Sequence, residues 1–504
     1  MTAPIKPEHK RLTSRLHGCH RASDIAGLMR TARDSNRLDG VLWAAAVQRM
    51  SAVEKRGNTE AVRQGWELLM AMSETHLVTL GHRELAVIAV AIAKSKHAKG
   101  KERFLEEVLQ MALIPKSEHG LLSIRHLANL SWAAASTKLS APKLFEAAAG
   151  AVGNSPGLCN SRDVSQLLWA FGRASHSQLG LDVLENLAKE HVSSQFLPSF
   201  GDHDMAASVW AIAVLASQRS LEEKSRRFIW ELAAHATARS SEFSPQGLSM
   251  LLWGTATLLS RGVDMPSAAL TTACGPQIVA LASKFTPQGA ANILWSLSTM
   301  AKIDHEKAAG EMLSFEELSA RMLPGQHAVM EALLDRILKK IFECNGQDIA
   351  NSLWAVANTS HLGPSAVMLF DQITQNPDVV PVHLFSAQEC ANSLWALARS
   401  RWKGDPHLLV LRIASRMEAL NEWDEQSLST AVWALAVLGH RHAALPLLAN
   451  SRLELHHLRT FPATSMCMLA WTCGMLNIQG YPVPGLVVAL QSRVQDLSIS
   501  QLAV

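Results

Sequence analysis

The chain has 504 residues, 48% of them hydrophobic and 18% charged, with a formal net charge of +3. That length exceeds a single hydrophobic core, and the composition excludes a disordered chain; the near-balanced charge makes no general case for a nucleic-acid or membrane partner. Seven scattered cysteines without a C-x-x-C pair suit a reducing compartment and give no zinc framework, and no apolar run reaches the roughly 18 residues of a membrane span.

The first 21 residues carry Lys6, Lys10, Arg11, Arg15 and Arg21 against Glu8, with Thr13 and Ser14 between them. Residues 1–20 therefore fit a transit segment or a disordered N-terminus. From residue 21 to residue 504 a recurring Trp marks one continuous array. It falls at Trp43, Trp132, Trp169, Trp210, Trp253, Trp295, Trp354, Trp395, Trp433 and Trp471, ten of the fourteen tryptophans, and Val90 holds the place missing between 43 and 132. Successive spacings are 47, 42, 37, 41, 43, 42, 59, 41, 38 and 38. The long interval contains an insertion near 303–326, and "DLSISQLAV" (496–504) reads as the opening of an incomplete last repeat.

A period near 40 is the length of a helical hairpin. The Trp segment has i, i+4, i+7 periodicity and explicit start signals. "FSPQ" (243–246) and "FTPQ" (285–288) place Ser244 and Thr286 at the N-cap with Pro at the first helical position, and "SAQE" (386–389) is a capping box. A second amphipathic stretch follows, as in "PSAVMLFDQITQN" (364–376) and "PHLLVLRIASRMEAL" (406–420). The unit is thus helix A with its Trp, a turn, helix B and a loop. Four before and three after the Trp the residues are small, as at Ala350 and Ala357; five before, one before and two after they are aliphatic, as at Ile349, Leu353 and Val356. This pattern makes the Trp a packing wedge between stacked helices, with base stacking as the rival role. The fold expected is all-α, a right-handed α-solenoid of about eleven hairpin repeats.

Seven before, three before and four after the Trp, the side chains are mostly polar, and these offsets lie within about 40° on a helix. No Asp or Glu occurs there, although 44 of the 504 residues are acidic. Amides and guanidiniums form bidentate pairs with base edges, and Arg also contacts phosphate. The candidate RNA-binding residues are Arg125, Asn129, Arg162, Gln166, Arg173, Gln246, Gln288, Asn292, Gln347, Asn351, Asn358, Gln388, Asn392, Arg399 and Gln426; the competing role is capping or bridging between repeats. "EEKSRRF" (222–228) and "RILKKIF" (336–342) are basic faces of B helices. No Walker loop, nucleophile elbow, dinucleotide fingerprint, metal-ligand spacing or recurring acid–base pair is present, so no enzyme, cofactor or metal is expected.

"ANSLWALA" (391–398), "ANSLWAVA" (350–357) and "ANILWSLS" (291–298), with F-[ST]-[PA]-Q upstream, resemble the repeats of octotricopeptide-repeat and FAST-kinase-like, RAP-type organellar RNA-binding proteins. These include the helical-repeat subunit of the RNA-editing substrate-binding complex. The resemblance covers the chain from about residue 20 onward. It implies an RNA-binding ribonucleoprotein component acting in RNA processing, mRNA stability, ribosomal RNA maturation or RNA editing, in the mitochondrion or alternatively the plastid. Many such proteins end in a RAP module; the sequence stops at "DLSISQLAV" (496–504), so no RAP activity is carried over. The expected partner is single-stranded organellar RNA, messenger or ribosomal, with processing or ribonucleoprotein factors, no membrane, and a monomeric chain. The alternative is a protein-interaction scaffold of the HEAT or armadillo kind.

Overall fold

The computed structural model describes residues 7–56, 59–114, 122–191, 196–217, 219–309 and 325–493. All regular structure among them is helical, and none of these helices is long and apolar enough to cross a membrane. The chain divides into two compact units, Met1–His235 and Ala236–Val504, where the repeats alone suggested one array. Sequence periodicity is blind to this division because equivalent repeats recur on both sides of it. Each unit is an α-solenoid segment built from hairpins.

In the first unit the Trp43 helix (Gly40–Val53), the Val90 helix (His82–Lys94), the Trp132 helix (Ile124–Thr137), the Trp169 helix (Ser161–Arg173) and the Trp210 helix (Asp202–Leu215) pack each on the next. Second helices such as Pro142–Asn154 and Ser177–His191 form a parallel layer against them. The second unit repeats the plan. There the Trp253 (Pro245–Ser260), Trp295 (Pro287–Ala309), Trp354 (Gly346–Thr359), Trp395 (Ala387–Arg399), Trp433 (Glu425–Val437) and Trp471 (Ala463–Met475) helices stack in sequence. Their second layer contains Ser267–Leu281, Gln326–Lys339, Pro364–Gln375 and His407–Glu418.

The register is uniform. Except for the Trp43 helix, every one of these helices begins eight residues before its Trp or Val. Capping explains why. Ser123, Asn160, Ser244, Thr286, Asn345, Ser386 and Asp424 stand at the preceding position, and each accepts a backbone N–H from three residues on. Asn160–Asp163, Asn345–Asp348 and Ser386–Glu389 are full capping boxes. One residue further out, a buried apolar group (Cys159, Phe200, Phe243, Phe285, Cys344, Phe385, Trp423, Phe461) fixes the entry angle of the chain, the position of a hydrophobic staple. The aliphatic stripe is buried as its spacing requires: Ile349, Leu353 and Val356 are at most 1% exposed. Each such side chain contributes about 1.5–3 kcal/mol. The small residues are buried too, among them Ser165, Ala206, Ala291, Ala350 and Ala391, which lets neighbouring backbones approach.

Two further contacts recur that the sequence pattern did not announce. A side chain near the end of the second helix donates to the carbonyl of the staple residue in front of the first, closing the hairpin. Arg336 Nε reaches Phe285 O at 2.7 Å, Arg416 Nε reaches Phe385 O at 2.8 Å, Arg493 Nη1 reaches Phe461 O at 2.6 Å and Gln277 Nε2 reaches Phe243 O at 3.3 Å. In addition, an aromatic residue seven after the Trp packs against the preceding repeat's second helix. The pairs are His176 with Phe145, His361 with His327, Trp402 with Phe370 and His440 with His407, at centroid distances of 4.4, 5.2, 5.6 and 5.2 Å.

Residues 7–18, assigned from composition to a transit segment or a disordered N-terminus, form the helix Pro7–Gly18; its Leu16 is fully buried, and Arg49 Nε donates to Cys19 O at 2.8 Å just beyond it. The insertion begins as a continuation of the Trp295 helix to Ala309; residues 310–324 and the incomplete last repeat lie outside the described residues. All seven cysteines are free thiols, and six of them are buried.

Candidate nucleic-acid interface

Because the helices share one register, equivalent side chains fall side by side. The tryptophans form ladders. Trp132, Trp169 and Trp210 follow one another with centroids 6.1 and 6.4 Å apart in the first unit. In the second, Trp295, Trp354 and Trp395 are spaced 6.4 and 6.1 Å, and Trp433 and Trp471 lie 6.2 Å apart. From Trp132 onward every ladder Trp is partly exposed. The wedge expected from its small neighbours is therefore not a fully buried one. The Ala and Ser residues are buried between the helices, and the indoles pack ring against ring from one helix to the next while keeping part of their surface open. Among the described residues, the indole N–H groups of Trp132, Trp169, Trp295, Trp354, Trp395, Trp433 and Trp471 make no hydrogen bond to the protein. Trp43 is fully buried and donates to Leu69 O at 2.9 Å. Its helix starts at Gly40, so Asn36, seven before, lies outside the helix with φ 53°.

The residue seven before each Trp lies in the first turn and is exposed at every repeat of the uniform register. In the first unit these residues are Arg83, Arg125, Arg162 and His203; in the second they are Gln246, Gln288, Gln347, Gln388 and Gln426, followed by Thr464. Three before the Trp, Asn129, Gln166, Asn292, Asn351 and Asn392 are half-buried beside the rings. None of these ten amide side chains hydrogen-bonds to another protein group among the described residues, so the capping or bridging role has no support at these positions. Among the described residues Arg162 and Arg173 are exposed without an ion pair, whereas Arg125 Nε contacts Asp163 Oδ1 at 3.4 Å, which ties the start of one Trp helix to the next.

Four after the Trp the expectation fails in part. Asn358 is 5% exposed and its Nδ2 donates to Ser298 O at 3.1 Å, on the preceding Trp helix; it is a packing residue. Thr257 and Thr299 are buried as well. The C-terminal ends of these neighbouring helices close over the position, which a single-helix wheel does not register. Arg399 is half-buried with its guanidinium 5.7 Å from the Trp395 centroid, and burial lowers its pKa. Lys94 is exposed and lies 5.3 Å from the Trp132 centroid. Its pKa is lowered by burial of its stem, then by the charges of Arg162 and Lys55, so cations from adjacent repeats sit close enough to repel.

Five of the cations on the two basic second-helix faces are engaged within the protein. Arg226 donates to Leu221 O, Arg227 pairs with Glu231, Arg336 holds Phe285 O, Lys339 pairs with Asp335 and Lys340 with Glu343. Beside the Trp ladders, by contrast, the ten amides and the side chains of Arg162 and Arg173 have no protein hydrogen-bond or ion-pair partner among the described residues.

No family model and no curated protein matches the chain. Among solved structures, it is similar to one described as a "Circular tandem repeat protein with novel repeat topology and enhanced subunit contact surfaces". The identity is 12% over 97% of this chain and 91% of that one, with a TM-score of 0.20. A likeness of that size carries no argument about function.

Proposed function

We propose that this repeat protein is a non-catalytic binder of single-stranded RNA that acts in organellar RNA processing, stability or editing. The observation that carries the reading is the row of partner-free amides set against part-exposed indoles at successive repeats. Amides supply a donor and an acceptor for base edges, and indoles supply stacking surfaces worth about 1–3 kcal/mol per base. Arg162, Arg173 and Lys94 add phosphate contacts in the first unit. The resemblance of "ANSLWALA" and its relatives to octotricopeptide and FAST-kinase-like repeats supports an organellar setting, mitochondrial before plastid. The RNA is messenger or ribosomal, and processing or ribonucleoprotein factors are its proposed co-partners.

The test is a salt-titrated binding curve on a random pool of single-stranded RNA, read by tryptophan fluorescence. Binding should quench the ladder tryptophans, and log affinity should fall linearly with log salt at about −0.7 per phosphate contact. Absence of binding at low salt would defeat the proposal and favour the scaffold reading. One feature supports that second reading: a cleft of about 750 Å³ among second-layer elements, lined by Phe342, Val379, Pro381, His383 and Arg412, beside a Phe342 that is 81% exposed.

A further inference from the structure

Between the second-layer helices Ser267–Leu281 and Gln326–Lys339 lies a groove of about 450 Å³. Ile278, Leu297 and Val329 are buried in its walls, and Val279 stands 42% exposed at its rim. Thr271 and Thr272 also line it, and both donate their hydroxyl protons to Ala268 O, at 3.1 and 2.8 Å, so their lone pairs remain open. Pro276, in the same wall, has no N–H to give the Thr272 carbonyl. Among the described residues no Lys, Arg or His lines this groove.

A neighbouring recess of about 70 Å³ shares the walls Thr271 and Gln326 and adds Met300, Asp304 and His305. Asp304 stands there because the Trp295 helix runs on to Ala309. Its carboxylate is half-buried and accepts Ser267 Oγ on both oxygens, at 2.9 and 2.8 Å. It has no ion pair and caps neither helix among the described residues; Lys307 is held instead by Asp264 at 3.4 Å. Burial pushes the Asp304 pKa up, and the Ser267 bond and the charges of Lys307 and His305 do not cancel that rise. A carboxylate so placed lacks the counter-charge that buried acids ordinarily have.

We infer that groove and recess together bind a small organic ammonium, with its apolar chain in the groove and its cationic head beside Asp304. The recess has room for about two water volumes, which suits a head group and excludes a ring. A neutral ligand would gain the apolar walls and leave Asp304 without a counter-charge. An anionic one would meet repulsion, and an inorganic cation would leave the walls of the groove wet. This site takes no part in the RNA-binding reading, and neither depends on the other.

The experiment titrates full-length protein with hexylammonium, hexanol and hexanoate by calorimetry. Hexylammonium should bind about ten-fold or more tighter than hexanol, and hexanoate weakest of the three. Asp304→Asn keeps an oxygen for Ser267 and should bring hexylammonium down to the level of hexanol. Ala328→Trp, at an exposed position lining the groove, should weaken both ligands and leave the melting temperature near wild type. Should Asp304→Asn fail to fold, the hexanoate titration and Ala328→Trp still decide. Equal affinity for amine and alcohol, an amine preference that survives Asp304→Asn, or no binding of hexylammonium overturns the site. Displacement of hexylammonium by an equal concentration of magnesium or sodium chloride overturns it as well.

Discussion

Asn351 and Asn358 lie on one helix and shared one functional expectation, yet the fold separates them. Asn358 satisfies the Ser298 carbonyl from inside the stack, and Asn351 offers its amide to solvent beside Trp354. Asn358→Ala should therefore destabilise the protein by about 1–3 kcal/mol, the cost of a buried polar group left unpaired, whereas Gln347→Ala should stay within about 0.5 kcal/mol of wild type. Urea unfolding of the two variants checks the contrast, and a thermally silent Asn358→Ala would return that residue to the binding surface. The sequence made the amides visible as a stripe. It did not separate the residues four after the Trp, because Lys94, Arg173, Asn358 and Arg399 share an offset and differ only in what the neighbouring helix puts opposite them. The exposure of the indoles was hidden for a related reason. Small flanking residues imply close helix packing, but they do not say how much of the Trp stays open to solvent.

At the scale of the element, helix starts were the most legible feature. Ser244, Thr286 and Ser386 cap where local chemistry places them, since a cap is decided by residues within one turn. The bonds that close each hairpin were not legible, because Arg336 and Phe285 are 51 residues apart and a lone Arg on a second helix looks like a solvated one. The same holds for the clasp at Glu331. His361 Nε2 lies 2.7 Å from its Oε1, and Ser365 N donates to Oε2 at 3.0 Å, joining the Gln326–Lys339 helix to the turn after Trp354. Burial pushes the Glu331 carboxyl up, but the bonds from Ser365 and His361 outweigh it and leave its pKa below the usual value of 4.5. A depressed carboxyl stabilises the fold above the unfolded-state value and loses that contribution as pH falls through the folded-state value. Glu331→Gln should accordingly lower the melting temperature more at pH 6 than at pH 3.5, and equal effects at both would show that the charge is not what the clasp uses.

Over the whole molecule, the exposed positions seven before the Trp change character from three arginines and His203 in the first unit to five glutamines and Thr464 in the second. On the proposed RNA-binding reading the physical roles would differ accordingly: charge would set affinity and its salt dependence, amides which bases are preferred. Replacing Arg162 and Arg173 by Gln should reduce the slope of log affinity against log salt by about 0.7 per lost contact. The Arg125→Gln change should do less, because Asp163 already engages that guanidinium. Alanine at Gln288 and Gln388 should leave the slope unchanged. An identical drop in slope for the amide variants would merge the two roles.

The free cysteines give the array a set of internal reporters. Burial pushes the thiols of Cys159, Cys274, Cys344 and Cys390 up to about 12, so at neutral pH an alkylating reagent reacts with them only when their own hairpin opens. Cys159 and Cys344 sit at the mouths of the Trp169 and Trp354 helices, Cys274 in the helix after Trp253, and Cys390 inside the Trp395 helix. Mass-spectrometric labelling in rising urea should thus resolve unfolding hairpin by hairpin. Simultaneous labelling within the second unit would mark it as one cooperative block, and staggered labelling as a chain of separable modules.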